Sequence, residues 1–200
     1  MIAIIDYGAG NLHSVKNALD FLGAESIITP NSEEILACDK IILPGVGAFG
    51  DAMDCLTRTG LDKTVKEAVR LNKPLLGICL GLQLMFEESE EAPGKKGLGI
   101  FKGKIVKIPD HGLKIPHMGW NSLTLTKDSK LLKDLGEEPY VYFVHSYYLT
   151  TPEKDIVSAY TEYGERLDVA VERDNVFAAQ FHPEKSGDVG MKIIKNFINI

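Results

Sequence analysis

Cys79 is the side chain in this sequence that is best set to act as a nucleophile. It lies in Gly77-Ile78-Cys79-Leu80-Gly81, where the apolar run 74–78 meets a helical pattern. A strand that turns sharply into a helix at its nucleophile needs small residues two positions before and after, because the backbone passes closely there. Amides at the start of a helix favour the thiolate, and the Leu80 N–H can face a developing oxyanion. A buried structural cysteine is the alternative for this motif taken alone.

A nucleophilic thiol needs a base, and the segment Phe181-His182-Pro183-Glu184 supplies a candidate. His182 follows the apolar strand pattern 176–181, so its ring is expected at the carboxyl edge of a sheet. Pro183 restrains the backbone, and Glu184 is near enough to fix the tautomer of the imidazole. A histidine at a strand end beside a solvated glutamate is the plainer interpretation of this segment alone. Together with the cysteine turn, the segment predicts a triad of Cys79, His182 and Glu184.

A glycine-rich loop, Pro44-Gly45-Val46-Gly47, follows the predicted strand 40–43 and precedes a helix. A loop at the carboxyl end of a neighbouring parallel strand is where a second oxyanion donor would arise, and its glycines would let a peptide reorient. A simple tight turn is one alternative. Phosphate binding is another, but the glycines match neither the P-loop nor the dinucleotide pattern.

The remaining cysteines, Cys38 and Cys55, are predicted to be small buried hydrophobic residues. Their spacing from each other and from Cys79 matches no usual zinc cluster, so we expect no metal site. The chemistry of a cysteine hydrolase also requires no organic cofactor.

The first half of the chain has the pattern of a sheet that could bring these residues together. Short apolar runs alternate with helical patterns, which indicates parallel strands covered by helices on both faces. The acidic run 87–91 predicts a solvated helix end and loop. The predicted strands are residues 2–6, 26–29, 40–43 and 74–78, and the predicted helices are residues 11–22, 48–56, 61–71 and 80–88.

After Gly94 the pattern changes to shorter strands with few helices between them. We predict strands at residues 104–108, 122–126, 141–144, 156–160, 168–172 and 176–181, with a hairpin turn at 173–175 and a final helix at 189–198. Such strands are expected to form antiparallel hairpins. The sequence therefore predicts one α/β domain over residues 1–200: a mostly parallel, doubly wound sheet flanked by helices, with an antiparallel extension.

Composition argues against several other classes of protein. The net charge is −6, and the 22 Lys and Arg residues are scattered, so a nucleic-acid partner is not expected. No apolar run reaches the roughly 18 residues that span a bilayer, and the N-terminus lacks the features of a signal peptide. An odd count of three cysteines without an export signal favours reduced thiols and a cytoplasmic location.

The two motifs together resemble those of the class I, or triad, glutamine amidotransferases, which read G-x-C-x-G-x-Q and H-P-E. The resemblance covers essentially the whole chain. It implies that Cys79 attacks the side-chain amide of glutamine, releases ammonia and leaves a thioester for hydrolysis. It further implies a glutamine pocket lined by Gln83, His145, Ser146 and Tyr147, and an oxyanion hole formed by Gly45, Val46, Gly47 and Leu80.

Within that family, residues 6–11, 43–50 and 116–121 resemble the glutaminase subunits of imidazole glycerol phosphate synthases. This implies a heterodimer in which a cyclase subunit receives the ammonia and makes imidazole glycerol phosphate and an aminoimidazole carboxamide ribonucleotide for histidine biosynthesis. The interface candidates are Asn11, Met118 and Trp120. Taken alone, 116–121 reads as a loop with one core tryptophan, and Asn11 as the N-cap of the first helix.

Several alternatives remain open from the sequence. The chain could serve a synthase of pyridoxal phosphate or anthranilate, although residues 116–121 argue against that, or a paralogous pathway that makes surface sugars. It could also be a catalytically silent regulatory subunit, which an intact triad disfavours. A cysteine peptidase on a similar fold is disfavoured by Gln83 and by the H-P-E arrangement.

Overall fold

The computed structural model describes residues 1–200, and one large sheet runs through it. The strand order is β2-β1-β3-β4-β13-β12-β10-β6-β5, with β11 beside β12 and β8 beside β11, while β7 and β9 form a separate pair. In chain order the strands are β1 (Ile2–Ile5), β2 (Ser26–Thr29), β3 (Lys40–Gly45), β4 (Leu75–Cys79), β5 (Glu88–Ser89), β6 (Lys104–Lys107), β7 (His117–Ser122), β8 (Thr124–Leu125), β9 (Tyr140–His145), β10 (Tyr147–Thr150), β11 (Val157–Tyr163), β12 (Glu165–Arg173) and β13 (Val176–Ala179).

Helices cover both faces of the parallel half of this sheet. They are α1 (Leu12–Phe21), α2 (Ser32–Ala37), α3 (Phe49–Thr59), α4 (Leu61–Arg70), α5 (Leu80–Leu84) and α6 (Gly187–Ile198), with short 3-10 helices at Lys154–Ile156 and Pro183–Lys185. None of them combines the length and apolar character that a membrane span requires.

Alternate side chains of β1 enter two hydrophobic clusters on opposite faces of the sheet. Ile2 and Ile4 pack in the cluster that contains apolar residues of α1 and α6, whereas Ala3 and Ile5 belong to the cluster with α2, α3 and α4. All four residues of the strand are buried. This two-sided burial explains why the parallel strands read as unbroken apolar runs in the sequence.

Strand β13 joins the parallel and antiparallel parts of the sheet. It pairs in parallel with β4 and antiparallel with β12, and β12 pairs antiparallel with β10 and β11. Because β3, β4 and β13 run in one direction, the residues that follow them meet at the same edge. The predicted α/β fold with an antiparallel extension is confirmed.

The helix after Cys79 is shorter than the sequence predicts. Residues 80–88 were expected to be helical, but α5 ends at Leu84. The carbonyl groups of Leu84 and Met85 accept backbone hydrogen bonds from Leu98 and Ile100, each at 2.8 Å. These contacts take the place of the hydrogen bonds that a further helical turn would make to the same carbonyls. The prediction for residues 85–88 was therefore wrong, because this contact spans residues far apart in sequence.

The segment around Trp120 differs from its interpretation as a loop. Residues 117–122 form β7, which pairs with β9 along its whole length, and the predicted strand 122–126 is reduced to the short β8. Trp120 is 56% exposed and is not a core residue. Polar residues and Gly119 conceal the alternation that usually reveals a strand. Helix α2 was also missed, although the Asn31 side chain accepts from the N–H groups of Glu33 and Glu34, as an N-cap does.

Candidate active site

Cys79 occupies a strained turn between β4 and α5. Its φ is 55° and its ψ is −110°, a conformation that non-glycine residues rarely adopt. Such strain costs about 1–3 kcal/mol and persists only where the surroundings enforce it. The turn brings the thiol to the edge of the sheet, where the side chain is 8% exposed.

The glycines that flank Cys79 are required by close backbone contacts. A Cβ atom at Gly81 would lie 1.9 Å from the carbonyl oxygen of Leu43, which is backbone and cannot move aside cheaply. A Cβ atom at Gly77 would lie 2.8 Å from the Met85 side chain and 3.0 Å from the backbone of Gly81. The spacing of the two glycines thus follows from the crossing of β3, β4 and α5.

His182 and Glu184 lie together behind the thiol. The Nδ1 atom of His182 is 2.8 Å from Glu184 Oε1, and the two side chains are 2% and 1% exposed. The backbone of His182 is fixed as well, since its N–H donates to the Tyr142 carbonyl at 3.0 Å and its carbonyl accepts from Ser186 Oγ at 2.6 Å. The ring is therefore held in one orientation, with Nε2 left for another partner.

His182 lines the same cavity as Cys79. His182 Nε2 is buried and has no hydrogen-bonding partner in the chain. Burial lowers the pKa of His182, but the neighbouring Cys79 and Glu184 outweigh it and raise that pKa to about 9. An imidazole with such a pKa is charged at neutral pH and can donate its proton to a leaving amine.

The end of β3, which extends to Gly45, and the loop that follows it lie beside this turn. Gly45 is the register partner of Cys79 in the β3–β4 pair, and Gly47 has a φ of 98°, in the region that favours glycine. The hydroxyl of Tyr7 donates to the Pro44 carbonyl at 3.0 Å, and this hydrogen bond holds the end of β3 in place. A Cβ atom at Gly45 would lie 2.5 Å from that hydroxyl, so a larger residue would collide with Tyr7.

A cavity of about 330 Å³ opens over the thiol. Its size suits a single small molecule. Gly45 and Glu184 do not line it but border a smaller cavity behind His182, together with Asn11. The residues that line the larger one are Val46, Gly47, Cys79, Leu80, Gln83, Glu91, Pro116, Val144, His145, Ser146, Tyr147 and His182.

Comparison with known proteins agrees with this geometry. The family model described as glutamine amidotransferase class-I matches residues 3–200. The chain belongs to the class I glutamine amidotransferases. Its curated relatives include the imidazole glycerol phosphate synthase subunit HisH of Caldanaerobacter subterraneus subsp. tengcongensis, 53% identical over 98% of this chain and 97% of that protein. The HisH subunit of Methanocaldococcus jannaschii is 54% identical over 100% of both chains.

Solved structures show that the fold is shared more widely than the sequence. A glutamine amidotransferase crystal structure superposes with a TM-score of 0.79 at 20% identity, covering 100% of this chain and 98% of that chain. The structure of PurLQS from Thermotoga maritima gives a TM-score of 0.78 at 20% identity, covering 99% and 97%. At these identities the likeness concerns the fold alone.

Two polar residues of this amidotransferase site were not singled out from the sequence. Gln180 is fully buried; its Nε2 lies 3.7 Å from Cys79 Sγ, and its Oε1 accepts from Gln83 Nε2 at 3.0 Å. Glu91 was expected to be solvated, but its Oε2 accepts from the Phe49 N–H at 2.8 Å, at the start of α3. The sequence signal that could have pointed to Gln180 is its position two residues before His182.

Two of the three predicted interface residues of the amidotransferase are exposed, whereas Asn11 is partly buried and borders the small cavity next to His182 and Glu184. Met118 and Trp120 are 53% and 56% exposed, and they share one face of β7. Asn11 occupies the N-cap position of α1, as its interpretation as an N-cap requires, but its side chain makes no capping hydrogen bond. Among the other cysteines, Cys38 is buried as predicted, whereas Cys55 is only partly buried and contacts Arg58 at 3.4 Å.

Proposed function

We propose that Cys79, His182 and Glu184 hydrolyse glutamine in this chain, which works as the glutaminase subunit of an imidazole glycerol phosphate synthase. The observation that carries the proposal is the 2.8 Å contact between His182 Nδ1 and Glu184 Oε1, which leaves Nε2 unpartnered beside the thiol. This is the order of groups that an activated cysteine needs: nucleophile, base and orienting carboxylate.

The first half of the reaction forms a thioester. The sulfur of Cys79 bonds to the carboxamide carbon of glutamine while His182 holds the thiol proton. The tetrahedral intermediate then collapses, its C–N bond breaks, and the proton passes from His182 to the leaving nitrogen, which departs as ammonia.

In the second half, water gives a proton to His182 and adds to the thioester carbon. The C–S bond breaks, glutamate leaves and the proton returns to the sulfur. Every atom transferred comes from glutamine, water or the triad.

The oxyanion of both intermediates needs donors near the Cys79 turn. The N–H of Leu80, which follows the nucleophile, is the first proposed donor, and the loop of Gly45, Val46 and Gly47 supplies the second. The register of Gly45 with Cys79 supports this pairing of loops. Reorientation of one peptide at Gly47 would add or remove a donor, so the loop is a suitable place for control by the partner.

The proposed glutamine pocket is the cavity over the thiol. Gln83, His145, Ser146 and Tyr147 line this cavity, which supports the proposal that they form the wall beside the amino-acid end of the substrate. His145 is held by its Nδ1 contact to the Tyr147 carbonyl at 2.9 Å.

Ammonia from this site serves a cyclase subunit. The HisH names of the curated relatives assign those proteins to a synthase with more than one subunit. For this chain we propose that the exposed Met118 and Trp120, with Asn11, form the contact with the cyclase. The proposed location is the cytoplasm, where histidine biosynthesis takes place.

The direct test is glutamine-dependent ammonia release by the purified chain, alone and with the cyclase subunit and its ribonucleotide. Weak activity alone and strong activity in the full complex are expected, because the oxyanion loop is completed by the partner. Full activity without the partner would contradict the coupled-synthase function. Tight binding to the cyclase without any glutaminase activity would instead favour a silent regulatory subunit.

A further inference from the structure

A buried pair of histidines lies beside the triad and takes no part in the proposed proton transfers. The Nδ1 atom of His117, on β7, is 2.9 Å from Nε2 of His145, at the end of β9. The two residues are 3% and 5% exposed. The ring of His117 is stacked between Phe143 and Tyr163, at centroid distances of 4.7 and 4.1 Å, which fixes the plane of the ring.

The hydrogen bonds of His145 define where its proton lies. Its Nδ1 is 2.9 Å from the carbonyl oxygen of Tyr147, which can only accept, so Nδ1 carries the hydrogen. Burial lowers the pKa of His145 to about 3 and that of His117 to about 4, so both rings are neutral at neutral pH. Nε2 of His145 is therefore an acceptor, and His117 donates to it from Nδ1.

Asn121 completes the series at the other end. Its Oδ1 accepts from the Ser122 N–H at 2.9 Å, which assigns the orientation of the amide. The Nδ2 group consequently faces the Glu162 carbonyl at 2.9 Å and Nε2 of His117 at 3.3 Å. Since the neutral His117 already carries its hydrogen on Nδ1, Nε2 accepts this bond. All the donors point the same way, from Asn121 toward Tyr147.

The series ends on the wall of the cavity above Cys79. The Tyr147 carbonyl also accepts from Gln83 Nε2 at 3.3 Å, and Gln83 donates again to Gln180 Oε1 at 3.0 Å. Gln83, His145 and Tyr147 all line the cavity. The histidine pair and the Gln83 amide are thus connected through one shared acceptor, the Tyr147 carbonyl.

We propose that His117 and His145 are positioning residues for glutamine: their one-directional hydrogen bonds hold the Tyr147 carbonyl, and through it Gln83, in the geometry that binds the substrate. This inference rests on the proposed glutaminase function. His117 acts only through His145, since it does not line the cavity. Its loss would leave the buried Nε2 of His145 without a donor, next to the substrate.

Two substitutions at His117 separate hydrogen bonding from packing. His117→Phe keeps a ring between Phe143 and Tyr163 but removes the donor. His117→Asn loses the ring but places an amide N–H near the position of Nδ1. If the residue only fills space, His117→Phe is the milder change. If it positions the pocket, His117→Asn is the milder one.

The experiment measures steady-state glutamine hydrolysis by each variant in complex with the cyclase subunit, and calorimetric glutamine binding by the same variants carrying Cys79→Ala. For His117→Phe we expect KM and Kd for glutamine to rise about 10-fold, with kcat within about 3-fold of the unsubstituted complex. For His117→Asn we expect KM within about 3-fold. His111→Phe, the same change at a histidine that is 45% exposed, is the matched control and is expected to alter neither constant.

An unchanged KM in His117→Phe, or a larger rise in His117→Asn than in His117→Phe, would overturn the inference. Should His117→Phe fail to fold, Asn121→Ala removes the first donor instead, and an unaltered KM there would equally overturn it. An unsubstituted complex that binds glutamine without hydrolysing it would contradict the proposed function while the Kd comparison still decides the positioning role. Absence of glutamine binding to the unsubstituted complex would overturn both.

Discussion

The imidazole of His182 and the carboxylate of Glu184 form a buried ion pair in which only one oxygen of the carboxylate is used. Oε1 lies 2.8 Å from His182 Nδ1, whereas Oε2 has no partner in the chain. Leaving a buried carboxylate oxygen without a partner costs free energy. The same burial lowers the local dielectric, and this strengthens the contact that the other oxygen makes with the imidazole. Glu184 therefore both orients the ring and stabilises its positive charge.

Replacing that carboxylate by an amide is the first prediction. Glu184→Gln keeps the shape of the side chain but removes the charge and can present an N–H to Nδ1, which favours the wrong tautomer. We expect kcat for glutamine hydrolysis to fall by about 10²–10⁴-fold, with KM within a few-fold. Steady-state assays of the complex measure both, and Glu162→Gln at an exposed position is the control. A loss below tenfold would show that Glu184 does not orient the base.

The charge state of His182 provides a second prediction. Its pKa of about 9 depends on Cys79 and Glu184, which outweigh the effect of burial. NMR titration of the labelled imidazole should give a midpoint near 9 in the unsubstituted chain. The midpoint should fall in Cys79→Ala and in Glu184→Gln, since each change removes a group that raises it. A midpoint unaltered by both substitutions would contradict the proposed triad.

The same shift has a consequence for stability. A pKa raised in the folded state contributes stability that is fully present below the unfolded value of about 6.5 and is lost as the pH rises through about 9. We therefore compare the free energies of unfolding of the unsubstituted chain and of His182→Asn as the pH rises from about 6.5 to about 9. The difference in favour of the unsubstituted chain should decrease over this range.

Gln180 is the subject of a third prediction. Its amide joins Gln83 to the thiol, and it is fully buried. Gln180→Leu keeps the volume but removes both contacts, leaving the Gln83 amide with the Tyr147 carbonyl alone. We expect kcat/KM to fall about 10- to 100-fold, because the thiol and the pocket wall lose their common support. Activity equal to that of the unsubstituted complex would show that Gln180 is only a packing residue.

The sequence predicted the parts of this site that depend on local patterns. The turn at Cys79 is marked by Gly77 and Gly81, whose small size is demanded by the backbone crossing there. The His182 and Glu184 pair needs no distant partner to be recognised, since the two residues are neighbours along the chain. The parallel strands were predictable for a related reason, because burial on both faces leaves a continuous apolar run.

Features created by contacts between distant segments were not predictable in this way. The early end of α5 depends on carbonyls taken by residues 98 and 100, and β7 depends on its pairing with β9. The histidine pair arises from that same pairing, which places His117 opposite His145. Neither residue carries a local signal of its neighbour, so only the folded chain reveals the contact.

The exposed face of β7 leads to a fourth prediction. Trp120 is 56% exposed, and large aromatic residues at the centre of an interface often contribute most to affinity. Trp120→Ala should raise the Kd for the cyclase subunit by at least about 30-fold, as measured by calorimetry. Leu125→Ala, at another exposed apolar position, should leave it unchanged. Equal affinities for the two variants would place the interface elsewhere.

The identity of the nucleophile is tested most directly by covalent labelling. A glutamine-derived chloroketone should enter the pocket and alkylate one thiol, which intact mass spectrometry and peptide mapping would locate. The chain has three free cysteines, and the partly buried Cys55 is an internal control for labelling outside the pocket. We expect stoichiometric labelling at Cys79, protected by glutamine and abolished in Cys79→Ser. Labelling at Cys38 or Cys55 instead would contradict the assignment of the catalytic site.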